Sequence, residues 1–272
     1  MATIDEIIQY VEVLSGHKLN ADEGVHFGTK NKDVRTAVVC WMATKGAIEF
    51  AYKIGADLLI AHESLYFPYD AVIRDDNPEG WEDWPVNKQR RTLLEEYNLT
   101  FLRIHESADE ICIFDAFRRQ LNLPKAGVVG DRYNYKRFDI ELCTVSELVE
   151  HVKRAVGMSH LRFSAPKGLC QKVSKVGLLW GGVGLFVNVR NQAKLLELGC
   201  DVFIAGETDD YGFRFARDQE VPLIETSHEV SENRGIKEFQ GILSAKFPQV
   251  QFEFYENQCP WRESLNLSDI DC

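Results

Sequence analysis

The sequence predicts an α/β protein made of two related halves, each with a mostly parallel or mixed sheet flanked by helices. Two observations carry this prediction. Short apolar segments of strand type alternate with amphipathic segments of helix length along most of the 272 residues. One pattern of helix, glycine and strand also occurs twice in the same order, which favours two similar halves with a site in the cleft between them.

The internal repeat is clearest in two segments of nine residues. Residues 55–63 (Gly-Ala-Asp-Leu-Leu-Ile-Ala-His-Glu) match residues 199–207 (Gly-Cys-Asp-Val-Phe-Ile-Ala-Gly-Glu) at five positions, and each segment follows a predicted amphipathic helix. Further along, each half has a predicted strand that ends in His-Glu, with the histidine four residues before a carboxylate. A common helix-to-strand loop explains the first match but not the second.

Residues 124–134 are predicted to be a linker, because they contain proline, glycine and charged residues without an apolar period. We expect residues 1–125 to form the first half and residues 135–272 the second, with the C-terminal segment able to pack back on the first. The end of the chain, residues 260–272, is predicted to be a surface tail.

The individual elements are predicted from apolar periodicity, turn residues and helix caps. The predicted strands are Thr36–Trp41, Asp57–Ala61, Thr100–Ile104, Tyr135–Leu142, Lys175–Trp180, Asp201–Ala205 and Pro222–Thr226. The predicted helices are Ile4–Leu14, Lys45–Ile54, Val86–Tyr97, Asp109–Leu121, Val187–Leu198, Asp209–Asp218 and Ser231–Lys246, with one more from Thr144 to near Gly157. Two of these helices start at capping boxes, Thr3 with Glu6 and Thr144 with Glu147.

Composition limits the classes of function. The formal net charge of −11 argues against a broad nucleic-acid interface but leaves a small anionic ligand open. No secretory signal and no apolar run of membrane-spanning length are found, so we expect no membrane association. The seven cysteines form no Cys-x-x-Cys pair, and reduced thiols in a cytoplasmic protein are the expected state.

The candidate site residues follow predicted strands. Ligands of open α/β sheets bind beyond the carboxyl ends of the strands, and polar side chains stand at four such ends. They are His62 with Glu63, His105 with Asp109, Glu207, and His228 with Glu232. Each has an ordinary explanation by itself, such as a surface histidine or a carboxylate in a first helical turn. Together they indicate a site for divalent zinc, iron, manganese or cobalt, and two metals about 3.5–4 Å apart are plausible.

The ordered motifs resemble the Nif-three-like family (NGG-one-interacting factor three; GTP cyclohydrolase type-two-like dinuclear metal proteins). The resemblance is carried by Asp22-Glu23-Gly24-Val25, by residues 61–67 (Ala-His-Glu-Ser-Leu-Tyr-Phe), by His105 with Asp109, by Ala205-Gly206-Glu207, and by His228 with Ser231 and Glu232. These motifs stand in the order of the family and cover nearly the whole chain.

The resemblance implies metal ligands at His62, Asp109, His228 and Glu232, with position 63 as the fifth. It implies two divalent metal ions per chain and homo-oligomeric rings, often hexamers. Two positions depart from the family. Glu63 stands where members usually carry a second histidine, and Met42 stands where many have aspartate.

Three classes of function remain open. The first is a metal-dependent hydrolase of a small anionic substrate, nucleotide-like or phosphorylated, in which the metals would activate water. His105 and Glu207 are then candidates for proton transfer or for support of the ligands. The second is a non-catalytic metal-binding or metal-handling protein, and the third is a regulatory scaffold for protein contacts.

Two further segments each have two interpretations. Residues 180–184 (Trp-Gly-Gly-Val-Gly) follow a predicted strand and form either an anion-binding loop or a tightly packed turn. Residues 70–84 are rich in charged and aromatic side chains and form either a lid over the site or a surface insertion anchored by tryptophan.

Overall fold

The computed structural model describes residues 1–261, in which strands and helices alternate as predicted. The elements in chain order are β1 (Ala2–Thr3), α1 (Ile4–Ser15), β2 (Gly24–Phe27), β3 (Asp33–Val34), β4 (Thr36–Cys40), α2 (Lys45–Lys53), β5 (Leu58–Ala61), α3 (Pro85–Glu96), β6 (Thr100–Arg103), α4 (Glu106–Ala108), α5 (Phe114–Gln120), β7 (Val128–Val129), β8 (Lys136–Thr144), α6 (Val145–Val156), β9 (Arg162–Ser164), β10 (Lys172–Leu179), α7 (Val189–Glu197), β11 (Val202–Ala205), α8 (Asp210–Asp218), β12 (Leu223–Glu225), α9 (His228–Lys246) and β13 (Gln251–Tyr255). Short 3₁₀ helices cover Trp81–Asp83 and Phe186–Asn188, and a π-helical turn covers Asp109–Ile113.

The first compact unit comprises Met1–Ala116 and Asn233–Asn257. Its five-stranded sheet has the order β13-β4-β5-β6-β2, and the three inner pairs among β13, β4, β5 and β6 are parallel. Strand β2 pairs antiparallel with β6, and a separate small ribbon joins β1 and β3. The central strand β5 is buried at all four of its residues. The residues that directly follow it therefore stand at the middle of one edge of the sheet.

The second unit comprises Phe117–Glu232 together with the described residues 258–261. Its six-stranded sheet has the order β7-β8-β10-β11-β12-β9, in which β10, β11 and β12 are parallel and the outer strands are antiparallel. Strand β11 is buried at every residue, as β5 is in the first unit. The fold class predicted from the sequence, with mixed and parallel sheets flanked by helices, is therefore confirmed.

The two units repeat one local plan. Helices α1 and α6 are both 12 residues long, begin at a complete capping box and end at a glycine with positive φ. Strands β5 and β11 each follow a helix with another such glycine, Gly55 or Gly199, two residues after its last residue. Each of these strands lies between two parallel neighbours. The repeated sequence segments thus occupy equivalent positions in the two sheets.

Residues 233–257 belong to the first unit, because β13 extends that sheet through parallel pairing with β4. The boundaries fall within α5 and within α9, so those two helices each contribute to both units. Most of the predicted tail, residues 262–272, lies outside the described residues.

Two further sequence expectations can be compared with the described residues. No helix among them has the length and apolar character that crossing a membrane requires. Their six cysteines are free thiols, and Cys40, Cys112 and Cys200 are buried. Burial raises the pKa of Cys200 to about 12 and that of Cys40 further, which favours the protonated, unreactive form.

Candidate metal centre

His62 and Glu63 lie at the carboxyl end of β5, the central strand of the first sheet. The backbone N–H of Glu63 donates to the carbonyl of Trp41 at 2.8 Å, which continues the strand pairing one step beyond β5. Both residues are only 3% exposed. A buried carboxylate is costly unless a cation or hydrogen bonds compensate it, so this strand end suits a positively charged ligand.

His105 and Asp109 follow β6, the parallel neighbour of β5. The Glu23 carboxylate holds the connecting loop, because it accepts hydrogen bonds from the backbone N–H groups of His105 (2.7 Å) and Ser107 (3.0 Å). The Ser107 hydroxyl also donates to Glu23 at 2.7 Å and does not cap the helix, which begins at Glu106. Asp109 starts the π-helical turn, a rare conformation that is frequent at functional sites.

These four side chains converge in the first unit. Ligand atoms of His62, Glu63 and His105 lie within 4.8 Å of one another, and His62 Nε2 is 3.8 Å from Asp109 Oδ1. Two imidazoles with two carboxylates, mostly buried, form a donor set typical of divalent transition metals. The residues present therefore fit a metal ion. His105, the candidate for proton transfer or for support of the ligands, has a ring nitrogen close to the ligand atoms of His62 and Glu63.

His105 belongs to a second network that sequence reasoning missed. Its Nδ1 hydrogen-bonds Asp22 Oδ2 at 2.7 Å, and its Nε2 lies 3.4 Å from the hydroxyl of Tyr69. The fully buried Arg103 donates to Tyr69 at 2.8 Å and to the Asp70 carboxylate. Burial alone would raise the pKa of Asp22, but the hydrogen bond from His105 and the charge of Arg103 outweigh it and hold that pKa at about 2.

His228 and Glu232 form a corresponding group in the second unit. Helix α9 begins at His228, three residues earlier than predicted, so the two side chains lie one turn apart on one face, with His228 Nε2 3.4 Å from Glu232 Oε2. The other ring nitrogen, Nδ1, hydrogen-bonds Glu207 Oε2 at 3.0 Å. Such a bond fixes the tautomer and orientation of an imidazole and leaves Nε2 as the metal-binding atom.

The glycine-rich loop after β10 packs against this second group. A Cβ atom at Gly181 would overlap the Glu232 carboxylate and lie 3.2 Å from His228 Nε2. The backbone N–H of Gly181 donates a hydrogen bond to the Ser231 hydroxyl at 2.8 Å, so this N–H group is already engaged within the protein and does not point to an anion site. Of the two interpretations, these contacts support the closely packed turn.

Residues 70–84 are anchored on the first unit. Trp81 packs against its apolar core, with its ring 5.9 Å from that of Tyr66. The Asn77 side chain donates to the carbonyls of Ala71 and Arg74, which closes the loop on itself. These contacts are those of an anchored surface insertion.

Comparison with known proteins agrees with this architecture. Residues 2–260 match the model of the Duf34/NIF3 (NGG1p interacting factor 3) family. A Bacillus cereus protein related to NIF3 superposes with a TM-score of 0.77 at 16% identity, covering 97% of this chain and 99% of its own. Protein SA1388 of Staphylococcus aureus gives 0.76 at 12% identity over 96% and 99% of the two chains, and TTHA1606 of Thermus thermophilus gives 0.70 at 19% over 96% and 100%. At these identities the likeness shows the fold. The search of curated proteins finds no significant match.

Proposed function

Because the chain belongs to the Duf34/NIF3 family, we propose that it is a metal-dependent hydrolase of a small substrate, nucleotide-like or phosphorylated. The observation that carries the proposal is the convergence of His62, Glu63 and His105, with Asp109 beside them, at the end of a buried central strand. A bound divalent ion would supply Lewis acidity to a substrate oxygen or to water.

We propose that His62, Glu63, Asp109, His228 and Glu232 serve one centre for two divalent ions, such as zinc, iron or manganese. The support for this grouping is chemical, since imidazole nitrogen and carboxylate oxygen are donor types that such ions take in proteins.

The proposed roles of the remaining residues follow from their contacts. His105 would hold or move a proton at Nε2, because its Nδ1 is occupied by Asp22 and the Tyr69 hydroxyl faces Nε2. Glu207 would orient His228 through Nδ1 and keep its other nitrogen free of the proton. Asp22 acts through His105 and is a positioning residue.

The test is a screen of nucleotides and phosphoesters with zinc, manganese or iron, applied to the wild type and to His105→Gln and Asp22→Asn. Asp22 is outside the group that could hold metal, so Asp22→Asn is expected to keep the metal content and to lose at least about tenfold in turnover. His160→Gln and Asp75→Asn are matched controls, since both residues are exposed and neither belongs to the group that could hold metal.

Two results would contradict the hydrolase. One is metal bound tightly with no turnover of any compound in the screen, which would favour a metal-handling protein. The other is turnover that stays at the wild-type level in both His105→Gln and Asp22→Asn. Loss of metal in His105→Gln alone would assign that residue to the ligands and leave Asp22→Asn to decide its role in proton transfer.

A further inference from the structure

The second unit has a groove between β9 and α8 that the metal centre does not use. Its volume is about 650 Å³, within the range of small-molecule pockets. The lining residues are Arg162, Phe163 and Ser164 of β9, and Asp210, Phe213, Arg214 and Arg217 of α8. Three arginines and two phenylalanines among seven residues are an unusual concentration in a chain with a net charge of −11.

Two of these arginines have no acidic partner among residues 1–261. Arg214 and Arg217 are exposed and stand three residues apart on α8, so their side chains leave the same face of the helix. No hydrogen bond or ion pair within the described part of the chain engages either guanidinium. Guanidinium groups placed side by side are the usual protein ligands of phosphate.

The third arginine, Arg162, is held in place on one side of the groove by hydrogen bonds. Arg162 donates two hydrogen bonds to the Glu225 carboxylate and one to the carbonyl of Thr208 at 3.0 Å. Its guanidinium also lies 5.5 Å from the centre of the Phe213 ring. Because Glu225 balances its charge, Arg162 forms part of the groove surface but adds little net positive charge. Arg214 and Arg217 are therefore the groups that would attract an anion.

The remaining lining residues indicate which chemical groups, besides an anion, a ligand of this groove would carry. Phe163 is 42% exposed and, with Phe213, offers an apolar surface to a flat ring. The hydroxyl oxygen of Ser164 is buried and has no hydrogen-bond partner among the described residues. Asp210, one turn before Arg214, is an acceptor for a hydroxyl or amino group and would repel an anion at that end.

We propose that this groove binds a small organic phosphate that carries a flat ring. The phosphate lies at Arg214 and Arg217, the ring lies against Phe163, and a donor group points toward Asp210. A peptide that would add a strand to the edge of the sheet is disfavoured, because β9 has only three residues with which it could pair. A nucleic acid is disfavoured because the net charge of the protein is −11. The groove contains none of the proposed metal ligands, so this inference goes beyond the hydrolase and does not depend on it.

The test uses riboflavin 5′-phosphate as a fluorescent probe, titrated in the presence of EDTA so that metal cannot hold the phosphate. The wild type is expected to bind it about tenfold or more tightly than riboflavin, because charge-assisted hydrogen bonds favour the phosphate. Arg214→Gln with Arg217→Gln is expected to remove this difference while riboflavin binding persists, which reports an intact groove.

The control variant Arg154→Gln with Arg190→Gln removes the same charge from exposed arginines elsewhere in the second unit and is expected to retain wild-type affinity. His62→Ala is expected to do the same, and this separates the groove from the metal centre. The proposal is overturned if the wild type binds the phosphate no better than riboflavin or binds neither. It is also overturned if the Arg214→Gln, Arg217→Gln variant keeps the wild-type preference.

Discussion

At the scale of single residues, Glu63 stands where the family resemblance leads us to expect a second histidine. A histidine there would add an imidazole, whereas Glu63 makes the set of donors richer in carboxylate oxygen. Imidazole suits zinc, iron, nickel and copper, and carboxylate suits manganese and magnesium. The Glu63 side chain is buried, and its ligand atom lies within 4.8 Å of those of His62 and the partly buried His105.

We predict that Glu63→His shifts the metal preference of the protein toward zinc and away from manganese. The measurement is competition between the two ions in the native chain and in the variant, followed by metal analysis. Equal relative affinities and equal occupancy in both proteins would show that Glu63 does not bind the metal.

Asp22 leads to a prediction about pH. Its folded pKa of about 2 lies below the usual 3.8, so the ionised carboxylate stabilises the fold above pH 3.8, and this contribution is lost as the pH falls toward 2. After allowance for partial solvent screening, the contribution is on the order of 1 kcal/mol. Urea unfolding should show that Asp22→Asn is less stable than the wild type at pH 7 and closer to it at pH 3. A deficit that is the same at both pH values would exclude the ionised pair as its cause.

The residues around His105 mark the limit of prediction from the sequence at this scale. His62, Glu63, His105 and Asp109 were predicted because they follow strands, and the structure does bring them together. Asp22 and Tyr69 were not assigned a role. They stand 83 and 36 residues from His105, and no local pattern shows that they meet it.

At the scale of elements, the loop after β10 depends on glycine for two reasons. Gly181 has a φ of +53°, which other residues adopt with strain, and it leaves the space that Glu232 occupies. Gly157, at the end of α6, has a similar φ of +73°, but a Cβ atom added there would meet no atom within 4 Å. A substitution at Gly157 therefore introduces backbone strain alone, whereas one at Gly181 introduces both backbone strain and steric overlap.

We predict that Gly181→Ala destabilises the protein by about 2–4 kcal/mol, and Gly157→Ala by about 1 kcal/mol. Only Gly181→Ala should also lower the metal content, because the new methyl group would displace Glu232. Urea unfolding and metal analysis measure the two effects. Equal losses of stability and unchanged metal content in both variants would contradict the claim that Gly181 is needed to make room for Glu232.

The elements that local patterns missed are strands at the edges of the sheets. Strand β13 carries a visible alternation, with Phe252 and Phe254 between polar residues, but β9 has three residues and β2 has four. No local signal places β13 beside β4, more than 200 residues earlier in the chain, and that pairing is why the C-terminal segment joins the first unit. The repeated central strands were predicted because their apolar runs are uninterrupted.

At the scale of the whole molecule, family resemblance leads us to expect a homo-oligomeric ring, often a hexamer. Exposed apolar side chains follow His62 and Glu63 in the sequence, with Phe67, Val72 and Ile73 each at least 40% exposed. Exposed apolar side chains that a protein groups into a patch are frequent at protein contacts. A subunit contact would remove it from water.

We predict a particle several times the 31.1 kDa of one chain, near 187 kDa for six chains. Light scattering across a range of concentrations measures this mass, and Val72→Lys with Ile73→Lys is expected to reduce it. Lys153→Ala with Arg154→Ala serves as a surface control on α6. A monomer at every concentration would refute the expectation of a ring.

The central claim is that this chain binds metal through donors of both groups, and the most direct measurement is metal content after gentle purification. The account predicts about two divalent ions per chain, and a clear loss in His228→Ala with Glu232→Ala. His160→Ala with Glu197→Ala removes the same residue types from the surface of the second unit and should leave the metal in place. Metal content that is unchanged in the His228→Ala, Glu232→Ala protein would contradict the account.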